Sequence, residues 1–269
     1  MPKRLTDAQV ASFRDLGYAY PIPVMSGAEA GALLAEIDAF HARTGKHVRD
    51  LRGKVHLLIK SLYELARGEA VLDAVEDLIG PDILCIESGF FWKPPRDQGF
   101  VAWHQDNTYL DLQPAGLAVG TWIALTDSKR DNGGLQVIPG RHDRTLPYHM
   151  IPEENHMLKF SRKIRGVDPS KAICMELEPG QMSIHGNGVV HGSEPNRSDR
   201  RRVGFACIFL APHVHPAKGG RMSASLMRGR DAHGLYDLDP VPARDFDPAA
   251  VAMVERALSG SLALYKKPT

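Results

Sequence analysis

Cysteine is scarce in this chain, and its scarcity excludes two classes of protein. Three cysteines occur among the 269 residues, at Cys85, Cys174 and Cys207. They are too few and too far apart for a disulfide framework or a zinc knuckle, both of which need closely spaced cysteines. We therefore expect three buried thiols in a protein of a reducing compartment.

Long apolar runs and an excess of one charge are also missing. No segment reaches the roughly 18 apolar residues of a membrane-spanning helix, and no apolar signal segment follows the basic residues near the N-terminus. Lysine plus arginine total 33 and aspartate plus glutamate total 32, a formal net charge of +1. This balance creates no global field that would attract nucleic acid or an acidic membrane. We expect a cytoplasmic protein that binds neither, and the oligomeric state stays open.

The composition is that of a soluble globular protein, with 43% apolar and 24% charged residues. The length suits one sizeable core, so we expect a single domain over 1–269. Its first part, 1–80, is predicted to be a mostly helical flank. Thr6 and Ser26 stand where they would cap two amphipathic helices, and Gly17 stands where it would end the first.

After Pro81 the pattern changes to short β-rich runs separated by glycine, proline, asparagine and aspartate. About eight such strands in succession predict a sandwich, jelly roll or barrel over 82–212. The segment 142–171 is polar and lacks periodicity, which is typical of an inserted lid or a disordered loop. Residues 213–269 are predicted to form a loop and a C-terminal helix.

A His-x-Asp spacing occurs in the run Trp103-His104-Gln105-Asp106. In a strand, residues two apart point to the same face, so His104 and Asp106 would present an imidazole and a carboxylate to one point. This spacing suits two neighbouring ligands of a metal ion. The alternative is a half-buried histidine that is hydrogen-bonded to an aspartate.

A second histidine and an arginine complete the pattern. His191 lies in another β-like run, and Arg202 follows it after eleven residues. Two histidines and one carboxylate form the facial triad that leaves coordination positions of iron(II) open for other ligands. An arginine at a fixed distance can hold the far carboxylate of a cosubstrate through a bidentate pair of hydrogen bonds. The four residues together are more specific than any of them alone.

The motifs WHQD, GTWIALTD, NGGLQVIPGRH and HGSEPNRSDRRRVGFA together resemble the phytanoyl-CoA hydroxylase-like family of iron(II)/2-oxoglutarate-dependent dioxygenases. The resemblance implies a mainly β fold with flanking helices, a double-stranded β-helix that is also called a cupin-like jelly roll. It implies that His104, Asp106 and His191 bind the iron. By the same resemblance, Arg202 binds the distal carboxylate of 2-oxoglutarate, supported by Ser193.

The resemblance further implies that Trp122 lines the 2-oxoglutarate pocket, with a buried core aromatic as the alternative. Dioxygen would be the second cosubstrate, and succinate and carbon dioxide the coproducts. Iron halogenases share part of the pattern but carry a small residue where this chain has Asp106, and chloride fills the vacant position on their metal. Asp106 therefore favours hydroxylation.

Three functions follow from these observations. The first is hydroxylation of an aliphatic C–H bond in a small polar metabolite. The second is a dioxygenase acting on a CoA- or carrier-tethered substrate, which the lack of a strong basic patch disfavours. The third is a catalytically silent metal-binding jelly roll, which would have no use for Arg202.

Several further residues carry predictions of their own. Arg200 would share the face of Arg202 in a strand, so a shift of register would exchange their roles, whereas Arg201 would point to the opposite face and stay in solvent. An unbroken strand would place His185 on the face of His191. Weaker candidates for contacts with the substrate, each with packing or solubility as the alternative, are Lys54, His56, Phe91, Trp92, Asn107, Tyr109 and Gln136.

Overall fold

The computed structural model describes residues 2–51, 53–140, 142–151, 154–158, 162–217 and 220–265. The α-helices in this part of the chain are α1 (Asp7–Leu16), α2 (Gly27–Thr44), α3 (Val55–Leu58), α4 (Lys60–Ala66), α5 (Glu69–Ile79), α6 (Asn107–Leu110) and α7 (Pro248–Tyr265). The strands are β1 (Tyr18–Pro23), β2 (Ile83–Lys93), β3 (Val101–His104), β4 (Leu112–Gln113), β5 (Ala118–Ala124), β6 (Gln136–Ile138), β7 (Tyr148–Met150), β8 (Arg162–Ile164), β9 (Ile173–Cys174), β10 (Gln181–Gly186), β11 (Val190–Ser193), β12 (Arg202–Leu210), β13 (His215–Pro216), β14 (Ser223–Arg228) and β15 (Asp237–Leu238).

The first two long helices begin at their predicted capping residues, and the first also ends where Gly17 predicts. Thr6 accepts a hydrogen bond from the Gln9 backbone N–H, and the Gln9 side chain accepts one from the Thr6 N–H, which makes a capping box. Helix α1 ends at Gly17, whose φ of 90° is accessible to glycine at little cost. Helix α2 is capped in the same way by Ser26 and Glu29. The sequence therefore specifies these helix ends locally.

Two antiparallel sheets form the jelly roll. The larger sheet has seven strands in the order β1-β10-β5-β12-β2-β14-β15, of which only β14 and β15 run parallel to each other. The smaller sheet has the order β3-β11-β6-β9. This arrangement confirms the predicted mainly β fold with helices packed on one side.

The helices and the larger sheet share one apolar core, which extends from Leu5 to Val254. On strand β2, Phe90 and Trp92 point into this core, and their neighbours Gly89 and Phe91 point to the other face of the sheet. That second face lines the space between the two sheets. No helix in the described part of the chain combines the length and apolar character that a membrane span requires.

The larger sheet extends beyond the predicted segment 82–212 at both ends. Strand β1 carries Pro21 and Pro23, which hid it from a sequence reading, but as the edge strand of the sheet it tolerates residues without an N–H. Strand β14 comes from the predicted C-terminal loop region. Within the mostly helical flank, α3 and α4 are separated at Ile59, whose backbone is extended.

Candidate active site

Two strands of the smaller sheet bring His104 and His191 together. Strands β3 and β11 are antiparallel neighbours in which these two residues lie directly opposite each other. Residues that face each other in this way point to the same side of a sheet. Their imidazole rings are 4.1 Å apart, measured between centroids.

Asp106 joins the pair by a different route from the one predicted. Strand β3 ends at His104, and Asp106 has helical backbone angles, φ −58° and ψ −35°, at the start of the short helix α6. The turn, and not the alternation of a strand, therefore directs its carboxylate. One nitrogen from each histidine and one Asp106 oxygen all lie within 4.8 Å of one another. The predicted convergence is present.

The backbone fixes which nitrogen of each ring faces the cluster. His104 Nδ1 lies 2.8 Å from the Ala102 carbonyl oxygen, and His191 Nδ1 lies 3.0 Å from that of Val189. Because a carbonyl only accepts hydrogen bonds, each Nδ1 carries a proton. The Nε2 atoms then face Asp106 Oδ1, at 3.4 Å for His104 and 3.5 Å for His191. Metal-binding histidines are commonly oriented by such a hydrogen bond.

The charges in the cluster suit a cation. Burial opposes ionisation of Asp106, but the imidazoles of His191, His104 and His185 outweigh it and hold the pKa of Asp106 well below its usual range. Burial, together with the neighbouring His104, lowers the pKa of His191 well below its ordinary value. The cluster therefore offers a carboxylate and a neutral imidazole at neutral pH. Two nitrogens and one oxygen are a donor set that suits iron(II).

A third imidazole, that of His185, lies beside the cluster. Its ring centroid is 4.3 Å from that of His191, and its Nε2 is 3.5 Å from Asp106 Oδ2. It does not share a strand with His191, because β10 ends at Gly186 and β11 begins at Val190. The condition of one unbroken strand is therefore not met, but the two rings meet across the turn between β10 and β11. Room for His185 comes from Gly120, where an added Cβ would lie 2.7 Å from Nε2.

Two buried cations lie at the other end of the cavity-facing sheet surface. Arg202 and Lys93 are directly opposite each other on β12 and β2. Burial lowers the pKa of Arg202 to about 10, and burial together with Arg202 lowers the pKa of Lys93 to about 6. Arg202 is 1% exposed, and its Nε and Nη2 have no partner among the described residues. An anionic ligand would satisfy this guanidinium.

The two other predicted cosubstrate residues contact this cationic pair. Ser193 Oγ accepts a hydrogen bond from Lys93 Nζ at 2.9 Å, and the Glu194 carbonyl accepts another. The Trp122 ring lies 5.1 Å from the Arg202 guanidinium carbon and is buried. Trp122 also packs over Gly204, where an added Cβ would overlap its ring. Predicted residues from three strands thus meet around Arg202.

The neighbouring arginines are placed differently. Arg200 precedes β12, is exposed and forms an ion pair with Asp131 at 2.9 Å. Arg201 lies on the opposite side of the strand from Arg202 and donates two hydrogen bonds to Asp38. It is half-exposed instead of free in solvent. The register gives the buried position to Arg202.

Sequence reasoning missed Lys93 and Glu87, both of which face the cavity from β2. They stand at alternate positions of the run Glu87, Gly89, Phe91, Lys93, while the residues between them are apolar or pack on the helices. This alternation was the sequence signal that could have placed Glu87 and Lys93 on the face of β2 that does not pack on the helices. Lys54 and His56, by contrast, contact the other side of β2 around Ser88.

Part of the segment 142–171 lies against the site. Its described residues include the hairpin β7–β8, whose Arg162 stacks between the rings of Tyr109 and Tyr148, 5.0 and 5.2 Å from their centroids. Tyr109 in turn meets His104 edge to face at 5.7 Å. Residues 152, 153 and 159–161 of the segment lie outside the described residues. Two surface cavities, of about 460 and 580 Å³, lie elsewhere and are not lined by the histidine–aspartate cluster.

Comparison with known proteins adds independent information. A family profile described as phytanoyl-CoA dioxygenase (PhyH) matches residues 2–204. Human peroxisomal phytanoyl-CoA dioxygenase is 30% identical over 162 residues, which are 58% of this chain and 48% of that protein. The chain thus spans about half the length of this curated relative. A probable α-ketoglutarate-dependent hypophosphite dioxygenase of Stutzerimonas stutzeri is 26% identical over 201 residues, 71% of this chain and 69% of that protein.

A solved structure agrees over nearly the whole chain. The apo form of ThoJ, described as a non-haem monooxygenase, superposes with a TM-score of 0.83 at 30% identity. The match covers 95% of this chain and 96% of that one. ThoJ is also known as a nickel complex, which superposes with a TM-score of 0.78.

Proposed function

The chain belongs to the phytanoyl-CoA dioxygenase family, and from that premise we propose that it is an iron(II)- and 2-oxoglutarate-dependent dioxygenase. It hydroxylates an aliphatic C–H bond of a small polar metabolite and releases succinate and carbon dioxide. One observation carries this proposal. A two-histidine, one-carboxylate cluster and a buried arginine with unpaired nitrogens lie on the same side of the larger sheet, the side that Gly120 and Arg202 share.

In this proposal His104, Asp106 and His191 are the three protein ligands of iron(II). The backbone carbonyls of Ala102 and Val189 hold the two imidazoles with Nε2 toward the metal position. Such fixed orientation keeps the ligands in place before the ion arrives. Iron(II), dioxygen and 2-oxoglutarate supply the oxidising chemistry when they are bound, and the protein supplies orientation and a shielded pocket.

Arg202 is proposed to bind the distal carboxylate of 2-oxoglutarate through its two unpaired nitrogens, which suit a bidentate pair of hydrogen bonds. Trp122 would fix the plane of the guanidinium by stacking on it. Ser193 holds Lys93, and Lys93 brings a second cationic group to the same carboxylate. Neither Arg202 nor Lys93 forms an ion pair with another described residue, and a bound dicarboxylate would provide one and favour the charged form of Lys93.

We keep the single domain of 1–269 as part of the proposal, since the apolar core includes residues from Leu5 to Val254. The cytoplasmic location stays a prediction. The β7–β8 hairpin, which packs on Tyr109 beside His104, is proposed as the lid of the site.

The metal assignment is tested by anaerobic titration with iron(II). The parent protein should bind one iron per chain, and His104→Ala or His191→Ala should abolish that binding or weaken it strongly. His213→Ala is the matched control, because it removes an exposed imidazole that does not belong to the cluster. Unchanged iron binding in both cluster variants would remove the proposal.

The reaction class is tested separately. A panel of candidate substrates, including acyl-CoA thioesters, is scored by succinate formation after iron(II)- and 2-oxoglutarate-loaded protein is exposed to air. Turnover of thioesters alone would favour the tethered-substrate alternative, and no turnover with any compound would favour a silent metal-binding protein.

With abundant chloride the product should still be hydroxylated, because Asp106 fills the position that a halide would need. A chlorinated main product would overturn this assignment.

A further inference from the structure

Glu87 lies in the same cross-strand row as His185, the imidazole beside the histidine–aspartate cluster. His185 is opposite Gly120, Gly120 is opposite Ile208, and Ile208 is opposite Glu87 on β10, β5, β12 and β2. Directly opposite residues in antiparallel strands share a face. The Cβ direction of Gly120 points at His185 and Asp106, so this face is the cavity face. Glu87 therefore points into the cavity.

The distance across this row is set by the spacing of strands. Gly120, against which Asp106 lies, is two strands away from Glu87. At about 4.8 Å per strand, the two backbone positions are about 10 Å apart. The side chain of Ile208 lies between them and gives this part of the sheet face an apolar surface. A bound molecule of a few carbon atoms would span this gap.

The surroundings of Glu87 show that the space beside it is open. The residue is exposed to solvent. The surrounding protein and the charge of Asp106 raise the pKa of Glu87 to about 7, and the charge of Lys54 offsets only part of this effect. Gly89, two residues along the same face, has nothing within 4 Å of where a Cβ would stand.

The Glu87 carboxylate has no protein partner among the described residues, in which it forms neither a hydrogen bond nor an ion pair. Lys54, whose charge acts on Glu87, lies on the other side of β2 and is already bound to Asp239 at 2.6 Å. A carboxylate in a cavity without a cationic partner is costly unless a ligand provides one. Its acceptor oxygens suit an N–H donor that carries a positive charge.

We propose that Glu87 binds a cationic nitrogen of the substrate, an ammonium or guanidinium group, and so holds an aliphatic chain across Ile208 toward the metal position. This inference rests on the proposed function, because it assigns the substrate class of the same cavity. It narrows the small polar metabolite to a compound with a basic nitrogen a few carbon atoms from the C–H bond that reacts.

The experiment uses the full chain loaded with manganese(II) and 2-oxoglutarate, so that no turnover occurs. Three probes of equal length carry a cation, no charge and an anion: pentylamine, 1-pentanol and pentanoate. Paramagnetic relaxation of the probe protons by the bound manganese reports whether each probe enters the cavity. Titration gives the relative affinities without any activity measurement.

Pentylamine should bind about tenfold more tightly than 1-pentanol, and pentanoate should bind least. Glu87→Gln should remove the preference for pentylamine, and Glu87→Lys should turn it toward pentanoate. Glu178→Gln, which changes an exposed glutamate in the same way, should keep the preference. Equal binding of pentylamine and 1-pentanol by the parent, or an unchanged preference in Glu87→Gln, would overturn the inference.

A failure of the proposed function looks different. In that case manganese and 2-oxoglutarate themselves do not bind, as measured by the relaxation of water protons and by equilibrium dialysis, and both proposals fall. If both bind while the cation preference is missing, only the role of Glu87 is lost.

Discussion

The two faces of strand β2 differ in whether their polar side chains have partners within the protein. On the helix side, Ser88 Oγ lies 2.7 Å from His56 Nδ1, and His56 Nε2 lies 2.8 Å from Ser225 Oγ. Ser225 donates to Asp239, which also accepts from Lys54 at 2.6 Å. Apart from Asp239 Oδ1, the side-chain polar atoms of this chain of contacts are paired.

On the cavity side the polar groups remain open. Glu87 has no partner among the described residues, and Arg202 leaves two nitrogens unpaired although it is almost fully buried. A buried polar group without a partner costs free energy of folding, so a fold keeps such groups only where something else recovers the cost. The closed face stabilises the fold, and the open face carries the groups to which the proposed function assigns ligands.

The largest effect expected from this comparison is on the closed face. Asp239→Ala should lower the free energy of unfolding by about 3–5 kcal/mol, because it leaves the buried Lys54 ammonium without its counter-charge. Urea denaturation measures it. On the open face, Glu87→Gln should not lower the free energy of unfolding. A loss below about 1 kcal/mol for Asp239→Ala would break the distinction between the faces.

Arg202→Met tests the open face directly. Removing one partner of a buried, hydrogen-bonded charge pair costs about 2–5 kcal/mol, which is a loss of about thirtyfold or more in 2-oxoglutarate affinity. Iron affinity should change little. The measurement is a titration of 2-oxoglutarate into anaerobic, iron-loaded protein, followed by its charge-transfer absorbance.

The neighbouring arginines are the controls for that titration. Arg201→Ala should leave the affinity nearly unchanged, because its half-exposed pair with Asp38 lies on the other side of the strand. If Arg200→Ala weakens 2-oxoglutarate binding while Arg202→Met does not, the assignment of the anchor to Arg202 is wrong.

Gly120→Ala should weaken metal binding by about tenfold, because the new methyl group would stand 2.7 Å from His185 Nε2 and 3.3 Å from Asp106 Oδ2. Competition with a coloured chelator measures the change. Gly89→Ala is the matched control on the same sheet face, since its methyl group meets nothing within 4 Å. Equal affinities in the two variants would show that Gly120 does not shape the metal site.

The smallest effect concerns protons. In the free protein Lys93 has a pKa of about 6, so it is mostly neutral at pH 7.5. A carboxylate bound beside it favours the charged form and raises that pKa. Binding of 2-oxoglutarate should therefore take up a fraction of a proton near pH 7.5, and the affinity should fall as pH rises above 6. Calorimetry in buffers of different ionisation enthalpy measures the uptake, and Lys93→Met should abolish it.

The parts of the fold that depend on local chemistry were predictable from the sequence. Thr6 and Gly17 mark their helix ends because capping involves residues a few positions apart. The grouping of His104 with His191 came from the triad pattern and the resemblance, and not from local chemistry, since it depends on which strands become neighbours. Strand β1 was missed because prolines usually exclude a strand, and only its edge position permits them.

The site was predictable where residue type and chemistry agree. Arg202 was assigned correctly to a buried position, but the sequence alone left its register open against Arg200. Lys93 was missed because a lysine at the end of a strand usually points to solvent, and nothing local states that the other face of β2 is a cavity. Asp106 was expected to lie on the strand of His104 but lies in the following turn. The sequence did not separate these two cases, because a turn and a strand both place its carboxylate near His104.

The separation of the two faces of β2 also affects how such a protein can change through descent. Glu87 and Phe91 alternate with Ser88, Phe90 and Trp92, so a replacement in the first group leaves the helix contacts of the second intact. Most substitutions in a buried strand are removed by selection because they destabilise the fold. A single-codon change at position 87 escapes that penalty, so with the proposed role of Glu87 this strand would give the lineage a short mutational path from one substrate to another.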